Sequence, residues 1–180
     1  ISSIPLSVQK ATALNRLYIS NNSLSDVPEN TLDNLKLYSL FLDGNLLRSI
    51  PKSIFSVTTL RNFKVQNNYI SHVQEEIMNL VRLYDIDLRN NTIKSLPDKF
   101  EKLEKTLQYI YLHNNPICTN GWLNRNDNIK TMIESTPGAG CKAQCSIYCQ
   151  DRYLEMKSQG CARDCNSKVC DFYGGKCKSL

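Results

Sequence analysis

A repeat period of 23 residues constrains the fold of this chain more than any other feature of its sequence. The segment 83–97 reads L-x-x-I-x-L-x-x-N-x-I-x-x-L-P, and four other segments follow the same frame. The frames begin at Leu14, Leu37, Leu60, Leu83 and, after a one-residue slip, Leu107. A repeat this short cannot bury a hydrophobic face alone, so neighbouring repeats must stack. The sequence therefore predicts a stack of similar coils, each contacting its neighbours.

Each repeat opens with an alternating apolar segment that predicts a short β-strand. Alternate side chains of a strand point to opposite faces, so we expect one set to face the interior. The inward pairs are Leu17/Ile19, Leu40/Leu42, Phe63/Val65, Ile86/Leu88 and Ile110/Leu112. Stacking of the repeats would align these strands in a parallel sheet on a concave face.

An asparagine follows each strand at the same position of the repeat. These residues are Asn22, Asn45, Asn68, Asn91 and Asn115. The amide both donates and accepts hydrogen bonds, and a buried polar group needs such partners. We therefore predict a structural ladder, in which each amide bonds the backbone of its own coil and of the adjacent one.

The remaining part of each coil carries the pattern P-x-x-I-x-x-[V/L], as at Pro51, Ile54 and Val57. This spacing predicts short helical or 3₁₀ turns on the back of the stack. One repeat buries about six apolar side chains, worth roughly 1.5–3 kcal/mol each. Ordering its backbone costs roughly 1–2 kcal/mol per residue, so a single repeat is unstable alone.

This lettering resembles the leucine-rich repeat, and the resemblance covers residues 1–117 of the 180-residue chain. It implies an α/β fold: a leucine-rich-repeat solenoid with a parallel concave sheet and short helical turns on the back. Ile1 and Ile4-Pro5 match positions inside a repeat. We therefore expect the segment to be truncated at its N-terminal end.

The cysteines are confined to the last part of the chain. All eight follow residue 117, beginning at Cys118. An even count in a short tail favours a disulfide framework made in an oxidising compartment. Zinc binding in the cytosol is the weaker alternative, because Cys145/Cys149 and Cys161/Cys165 enclose three residues, whereas zinc sites commonly use C-x₂-C.

Residues 118–141 resemble the C-terminal cap of extracellular leucine-rich repeats. The resemblance rests on the N-P-x-C motif of Asn115–Cys118, a following helix with an apolar face, and the later Cys141. The apolar positions are Trp122, Leu123, Ile129, Met132 and Ile133. The cap family implies a disulfide between Cys118 and Cys141.

Residues 142–180 look like a degenerate Lin-12/Notch repeat, a small disulfide-rich module. Six cysteines, the spacing C-x₃-C-N-x₃-C and an aromatic residue before x-G-G-x-C carry the resemblance. The connectivity of that family implies the disulfides Cys145–Cys170, Cys149–Cys165 and Cys161–Cys177. The alternative is an α-hairpin of two C-x₃-C helices, which leaves Cys170 and Cys177 unexplained.

Notch-type modules bind one Ca²⁺ through Asp and Asn side chains, and Asn166 matches a ligand position. Ala162, Tyr173 and Lys176 stand where that family has acidic residues or Asn. A hard cation needs several oxygen ligands, so we expect no cofactor and keep calcium at Asn166 as the weaker alternative.

The outward strand positions form columns of candidate partner-binding residues. Exposed aromatic side chains are typical of interface hot spots, and concave solenoid faces are common binding surfaces. We predict that a protein ligand contacts Tyr18, Phe41, Lys64, Asp85, Asp87, Arg89, Tyr109, Tyr111 and His113. The alternative is that these aromatics are scattered surface residues.

Asp85 and Asp87 could also serve as paired carboxylates in acid–base catalysis. We expect them instead to be solvated, because the sequence shows no nucleophile or metal partner near them, and we predict no enzymatic activity. The sequons at Asn21 and Asn90 are candidate glycosylation sites if the protein is secreted. Their alternative origin is the repeat itself, in which the second Asn recurs.

The net charge of +5, without a long basic run, is far from the dense basic footprint of nucleic-acid-binding proteins. The sequence has no apolar run of membrane-spanning length, so no membrane contact is expected within this segment, although a span could follow it. We predict a protein-binding ectodomain of a receptor-like or secreted surface protein. Alternatives are a secreted inhibitor or effector acting alone, or a regulatory segment of a larger enzyme such as a receptor kinase.

Overall fold

The computed structural model describes residues 1–135 and Cys141. The chain divides into two units, Ile1–Cys141 and Lys142–Leu180, and all the described residues belong to the first. The predicted Notch-type module, its three predicted disulfides and the calcium alternative at Asn166 lie outside the described residues.

Five short strands form one parallel sheet whose spatial order follows the chain, as the repeats predict. They are β1 (Arg16–Tyr18), β2 (Ser39–Phe41), β3 (Asn62–Lys64), β4 (Asp85–Asp87) and β5 (Tyr109–Tyr111). Equivalent repeat positions pair across the sheet, for example Leu17 with Leu40 and Phe63 with Ile86. Each coil returns the chain to the start of the next strand, and this crossover makes the strands parallel.

Short 3₁₀ helices form a second stack, which confirms the predicted helical turns. They span Leu6–Lys10, Lys52–Ser56, Glu75–Asn79 and Phe100–Leu103. The amide of Ile54 donates to the Pro51 carbonyl at 3.0 Å, and the amide of Val57 donates to Ile54 at 3.0 Å. This i→i+3 spacing defines a 3₁₀ turn, and the buried Ile54 anchors it in the core.

One apolar core runs through the stack of coils between strands and helices. All the predicted inward strand residues are buried except Leu17, which is half-buried. Leu17 lies on β1, the strand at one end of the sheet. Side chains of one coil therefore depend on the adjacent coil for their burial, which is the expected behaviour of a repeat stack.

The asparagine ladder runs beneath the sheet as predicted. Asn68 donates to the carbonyls of Leu42 and Val65, both at 3.0 Å, and accepts from the amide of Leu47 at 3.0 Å. Asn45, Asn91 and Asn115 repeat this arrangement, each less than a tenth exposed. One amide thus satisfies three backbone groups on two coils, its own and the preceding one, a role that an apolar side chain could not fill.

A second, outer asparagine row lies one residue before the ladder, where the backbone is left-handed. Asn21, Asn67, Asn90 and Asn114 have φ between 51° and 59°, which asparagine tolerates better than most residues. The Asn90 amide donates to Asn67 Oδ1 at 2.6 Å and accepts from Asn114 Nδ2 at 2.6 Å. Both predicted sequons therefore begin in this outer row.

Gly44 takes the place of asparagine in the outer row, with φ 66°. A Cβ atom there would lie 2.3 Å from Asn21 Oδ1. Glycine adopts this conformation without strain, and a side chain at this position would displace that of Asn21.

The end of the described unit is closed by 3₁₀ turns at Pro116–Cys118 and Leu123–Arg125, followed by helix α1 (Asp127–Ser135). Ile129, Met132 and Ile133 of α1 are each 2% exposed and extend the core. Cys118 and Cys141, the pair that the cap resemblance implies, form a disulfide with an Sγ–Sγ distance of 2.05 Å.

Candidate partner-binding face

The outward residues of the strands form an open face, which we define by its three columns across the sheet. The strand register arranges the first as Tyr18, Phe41, Lys64, Asp87 and Tyr111 and the second as Arg16, Ser39, Asn62, Asp85 and Tyr109. The third, at the ends of the strands, contains Ser20, Asp43, Gln66, Arg89 and His113. The open face therefore contains every residue of the predicted partner-binding set.

An aromatic pair occupies the face over β1 and β2. The rings of Tyr18 and Phe41 stack with centroids 4.6 Å apart and planes at 17°. Tyr18 is 61% exposed although its ring stacks on Phe41. This end of the face presents apolar area whose geometry is already set, so a partner would lose little side-chain entropy on binding.

A charged cluster occupies the face over β3, β4 and the residues that follow them. Lys64 Nζ lies 2.6 Å from Asp85 Oδ1. Arg89 Nε and Nη2 bind the Asp87 carboxylate at 2.5–2.9 Å, and the Arg89 amide donates to Asp87 Oδ1 at 3.1 Å. Residues two apart in an extended chain share a face, which brings Arg89 back over Asp87, and hydrogen bonding to Asp87 raises the pKa of Arg89.

Tyr111 lies between the two cations of this cluster. Lys64 Nζ is 5.2 Å and Arg89 Cζ is 5.4 Å from the centroid of its ring, distances that favour cation–π attraction. Burial raises the pKa of Tyr111, with added contributions from Asp85 and Asp87. The ring thus joins both ion pairs into one network.

His113 follows β5 beside Arg89 in the third column. It is 8% exposed, and its Nδ1 atom has no hydrogen-bond partner among the described residues. Burial lowers the pKa of His113, and the nearby Arg89 charge lowers it further, against a smaller opposing effect of Asp87. A neutral imidazole is therefore favoured at neutral pH.

Two members of the predicted partner-binding set are buried rather than presented. Asp87 is 2% exposed, with the Arg89 guanidinium bonded to its carboxylate, and His113 is 8% exposed. The expectation that Asp85 and Asp87 are solvated is wrong for Asp87, which is buried against Arg89, whereas Asp85 is half-buried and paired with Lys64. The remaining predicted residues are at least partly exposed.

The residue before each strand adds a row that the sequence analysis missed. Tyr38, Arg61 and Tyr84 occupy this position and are all exposed. Arg61 Cζ lies 5.5 Å from the Tyr38 ring centroid, and Tyr84 meets Tyr109 edge to face at 5.5 Å. The spacing of 23 residues between these three positions was a usable signal.

A separate cleft of about 330 Å³ lies between the 3₁₀ helix Phe100–Leu103 and the start of α1. Polar residues dominate its lining, among them Asp98, Glu101 and Asp127. Across residues 1–135 and Cys141, no three His, Cys, Asp or Glu side chains are grouped so that they could hold a metal ion. No helix in this same part of the chain is long and apolar enough to cross a membrane.

Comparison with known proteins shows that the repeats of this chain are similar to leucine-rich repeats. Family models described as leucine rich repeat match residues 13–35 and 58–117. A solved structure of a leucine-rich-repeat protein from Leptospira interrogans is 20% identical, with a TM-score of 0.50. The match covers 78% of this chain and 51% of that protein, so the chain spans about half of its length. No curated protein matches the chain.

The sequence frame, the parallel strand stack, the buried asparagines and these matches agree with one another. The repeats of this chain are therefore leucine-rich repeats, and they fold into a leucine-rich-repeat solenoid.

Proposed function

We propose that the chain binds a protein partner through the open face, as the ectodomain of a receptor-like or secreted surface protein. Leucine-rich repeats commonly mediate protein–protein interaction. The observation that carries the proposal for this chain is the stacked Tyr18–Phe41 pair, with Tyr18 61% exposed on a strand. A tyrosine held in this way offers the contact area on which interface hot spots depend.

The charged cluster supports the same proposal. The Asp85 and Asp87 carboxylates are already paired with Lys64 and Arg89, so a partner that covers them would not leave an unpaired acid in the interface. Such an uncompensated buried charge is costly. The pairing also argues against acid–base catalysis by these two carboxylates, and we propose no enzymatic role for the described residues.

The extracellular part of the proposal rests on the cysteines. Their even number and the Cys118–Cys141 disulfide fit an oxidising compartment. The corresponding measurement is the intact mass of the purified protein after alkylation without reductant. A protein without adducts fits the proposal, whereas several adducts or bound zinc would place it in a reducing compartment.

The binding proposal can be tested with a displayed library of random peptides. Peptides selected on the full-length protein are tested against the Tyr18→Ala/Phe41→Ala variant and against a back-surface control, Glu76→Ala. We expect the selected peptides to lose affinity for the first variant and to keep it for the second, because Glu76 is exposed on the 3₁₀ stack. Equal binding to all three proteins, or the absence of selected peptides, would contradict the proposed function.

A further inference from the structure

We propose that the edge of the sheet where the strands begin binds an extended acidic segment of the protein partner. We call this edge the basic edge and define it by Arg16, Lys36, Arg61 and Arg82. The proposal rests on the proposed function, since it names the chemistry of the partner that the open face takes.

All four side chains of the basic edge are exposed cations without an acidic partner. Each is exposed, and none forms an ion pair with another residue of the described part of the chain. Lys64 and Arg89, the cations that share the open face with Arg16, are by contrast paired with Asp85 and Asp87. Four exposed cations without an acidic partner among the described residues therefore lie along the edge where the strands begin.

The four cations are placed by the repeat. Arg16 begins β1 and Arg61 immediately precedes β3, while Lys36 and Arg82 each lie three residues before β2 and β4. Lys36 and Arg82 occupy equivalent repeat positions two strands apart, and adjacent strands are about 4.8 Å apart, so these two residues stand about 10 Å apart along the edge. Arg16 and Arg61 also belong to coils two strands apart, but their positions in the repeat differ by one residue. In an extended peptide of polyproline II conformation, carboxylates at every third position lie on one side, about 9 Å apart at about 3.1 Å per residue.

Aromatic residues between the cations provide contact area for the same peptide. Tyr38 lies between Arg16 and Arg61 in the strand order, and Tyr84 follows Arg61. These tyrosines are 44% and 41% exposed. An acidic peptide along the edge would contact both the guanidinium groups and the tyrosine rings beside them.

A nucleic acid fits this edge less well. Single-stranded binding uses free aromatic faces as stacking platforms, but the Tyr38 ring already faces the Arg61 guanidinium and Tyr84 already meets Tyr109. The carboxylate of Asp85 also lies in the adjoining column. Extended protein segments need neither free ring faces nor a continuous field of positive charge.

The test measures binding of labelled synthetic peptides to the full chain by fluorescence anisotropy. One peptide has Glu at every third position with Ser and Thr between, and its control has Gln in place of Glu. The variant Arg16→Glu/Arg61→Glu is compared with Arg48→Glu/Lys94→Glu, which makes the same change of net charge at exposed residues that follow the strands. Thermal melting confirms that both variants remain folded.

We expect the Glu peptide to bind in preference to the Gln peptide and to weaken as salt is added. Arg16→Glu/Arg61→Glu should weaken binding about tenfold or more, since two ion pairs are reversed, while the control variant should stay within about twofold. No binding of the Glu peptide, equal loss in both variants, or tighter binding of a single-stranded oligonucleotide would overturn the inference. Library peptides that depend on Tyr18 and Phe41 but lack acidic residues would also overturn it, while leaving the proposed function intact.

Discussion

The two halves of the open face are built from the same type of repeated coil, yet the outward side chains of the two halves differ in polarity and charge. Over β1 and β2 the face is an exposed aromatic stack of Tyr18 and Phe41. Over β3 to β5, equivalent positions hold a network in which Lys64, Asp87 and Tyr111 contact charged or aromatic neighbours. The comparison shows that the repeat sets where side chains stand, whereas contacts between adjacent columns decide whether they are available to a partner.

The largest expected effect tests whether the two halves share one scaffold. Asn45 lies under the aromatic half and Asn91 under the charged half, with the same three backbone partners in each case. We expect Asn45→Ala and Asn91→Ala each to lower the free energy of unfolding by about 2–3 kcal/mol, because buried backbone groups lose their partner. Urea denaturation measures both, and a clear difference between them would show that the scaffold is not uniform.

The second-largest expected effect is a loss of stability that is confined to the charged half of the open face. Asp87→Ala removes the buried acceptor of the Arg89 guanidinium and amide. We expect a loss of about 1–2 kcal/mol in the free energy of unfolding, less than for a fully buried pair because Arg89 keeps 35% of its side chain exposed. The matched change Asp43→Ala in the aromatic half should cost less than about 1 kcal/mol, since the Asp43 carboxylate accepts from one hydroxyl donor, Ser20. Equal losses in urea denaturation would remove the distinction between the halves.

In the aromatic half, we expect a substitution to weaken binding strongly and to change stability little. Tyr18→Ala is expected to weaken partner or peptide binding about tenfold, as hot-spot truncation does, and to change the free energy of unfolding by less than about 1 kcal/mol. Binding titration and urea denaturation of the same sample provide the two values. A loss of stability without loss of affinity would mean that the stack serves packing alone.

The smallest effect is a pH dependence confined to the charged half. The pKa of His113 is lowered from its usual 6.5 in the folded protein, so the unfolded chain binds more protons as the pH falls below that value. The His113 contribution is therefore complete above about pH 6.5 and is lost as the pH falls through the folded pKa. We expect the stability of the wild type to fall more than that of His113→Gln between pH 7 and 5. If the free energies of unfolding of the two proteins fell equally between pH 7 and 5, the pH dependence would not come from His113.

The sequence predicted which residues lie in the columns of the open face, but it did not predict which of their side chains are exposed to a partner. The period of 23 residues, with its one-residue slip before the last frame, placed Tyr109 beside Asp85 and Tyr111 beside Asp87. Nothing in the sequence indicated that Arg89 would turn back over Asp87, because that contact depends on side-chain conformation between neighbouring columns. Tyr38, Arg61 and Tyr84 recur with the same period of 23 residues. The prediction of the binding face considered only the strand positions that follow them, and therefore left them out.

The sequence by itself determined the repeated coil, the parallel strands, the buried faces and the asparagine ladder. These features depend on local periodicity and on backbone hydrogen bonds that recur in every repeat, as for Asn68 between Leu42 and Leu47. Only the tertiary structure decided that Asp87 and His113 are buried, that Lys64 and Arg89 are neutralised, and that Arg16 and Arg61 are left without acidic partners among the described residues. The physical reason is that exposure and ion pairing depend on the size and charge of side chains one coil away, which differ from repeat to repeat.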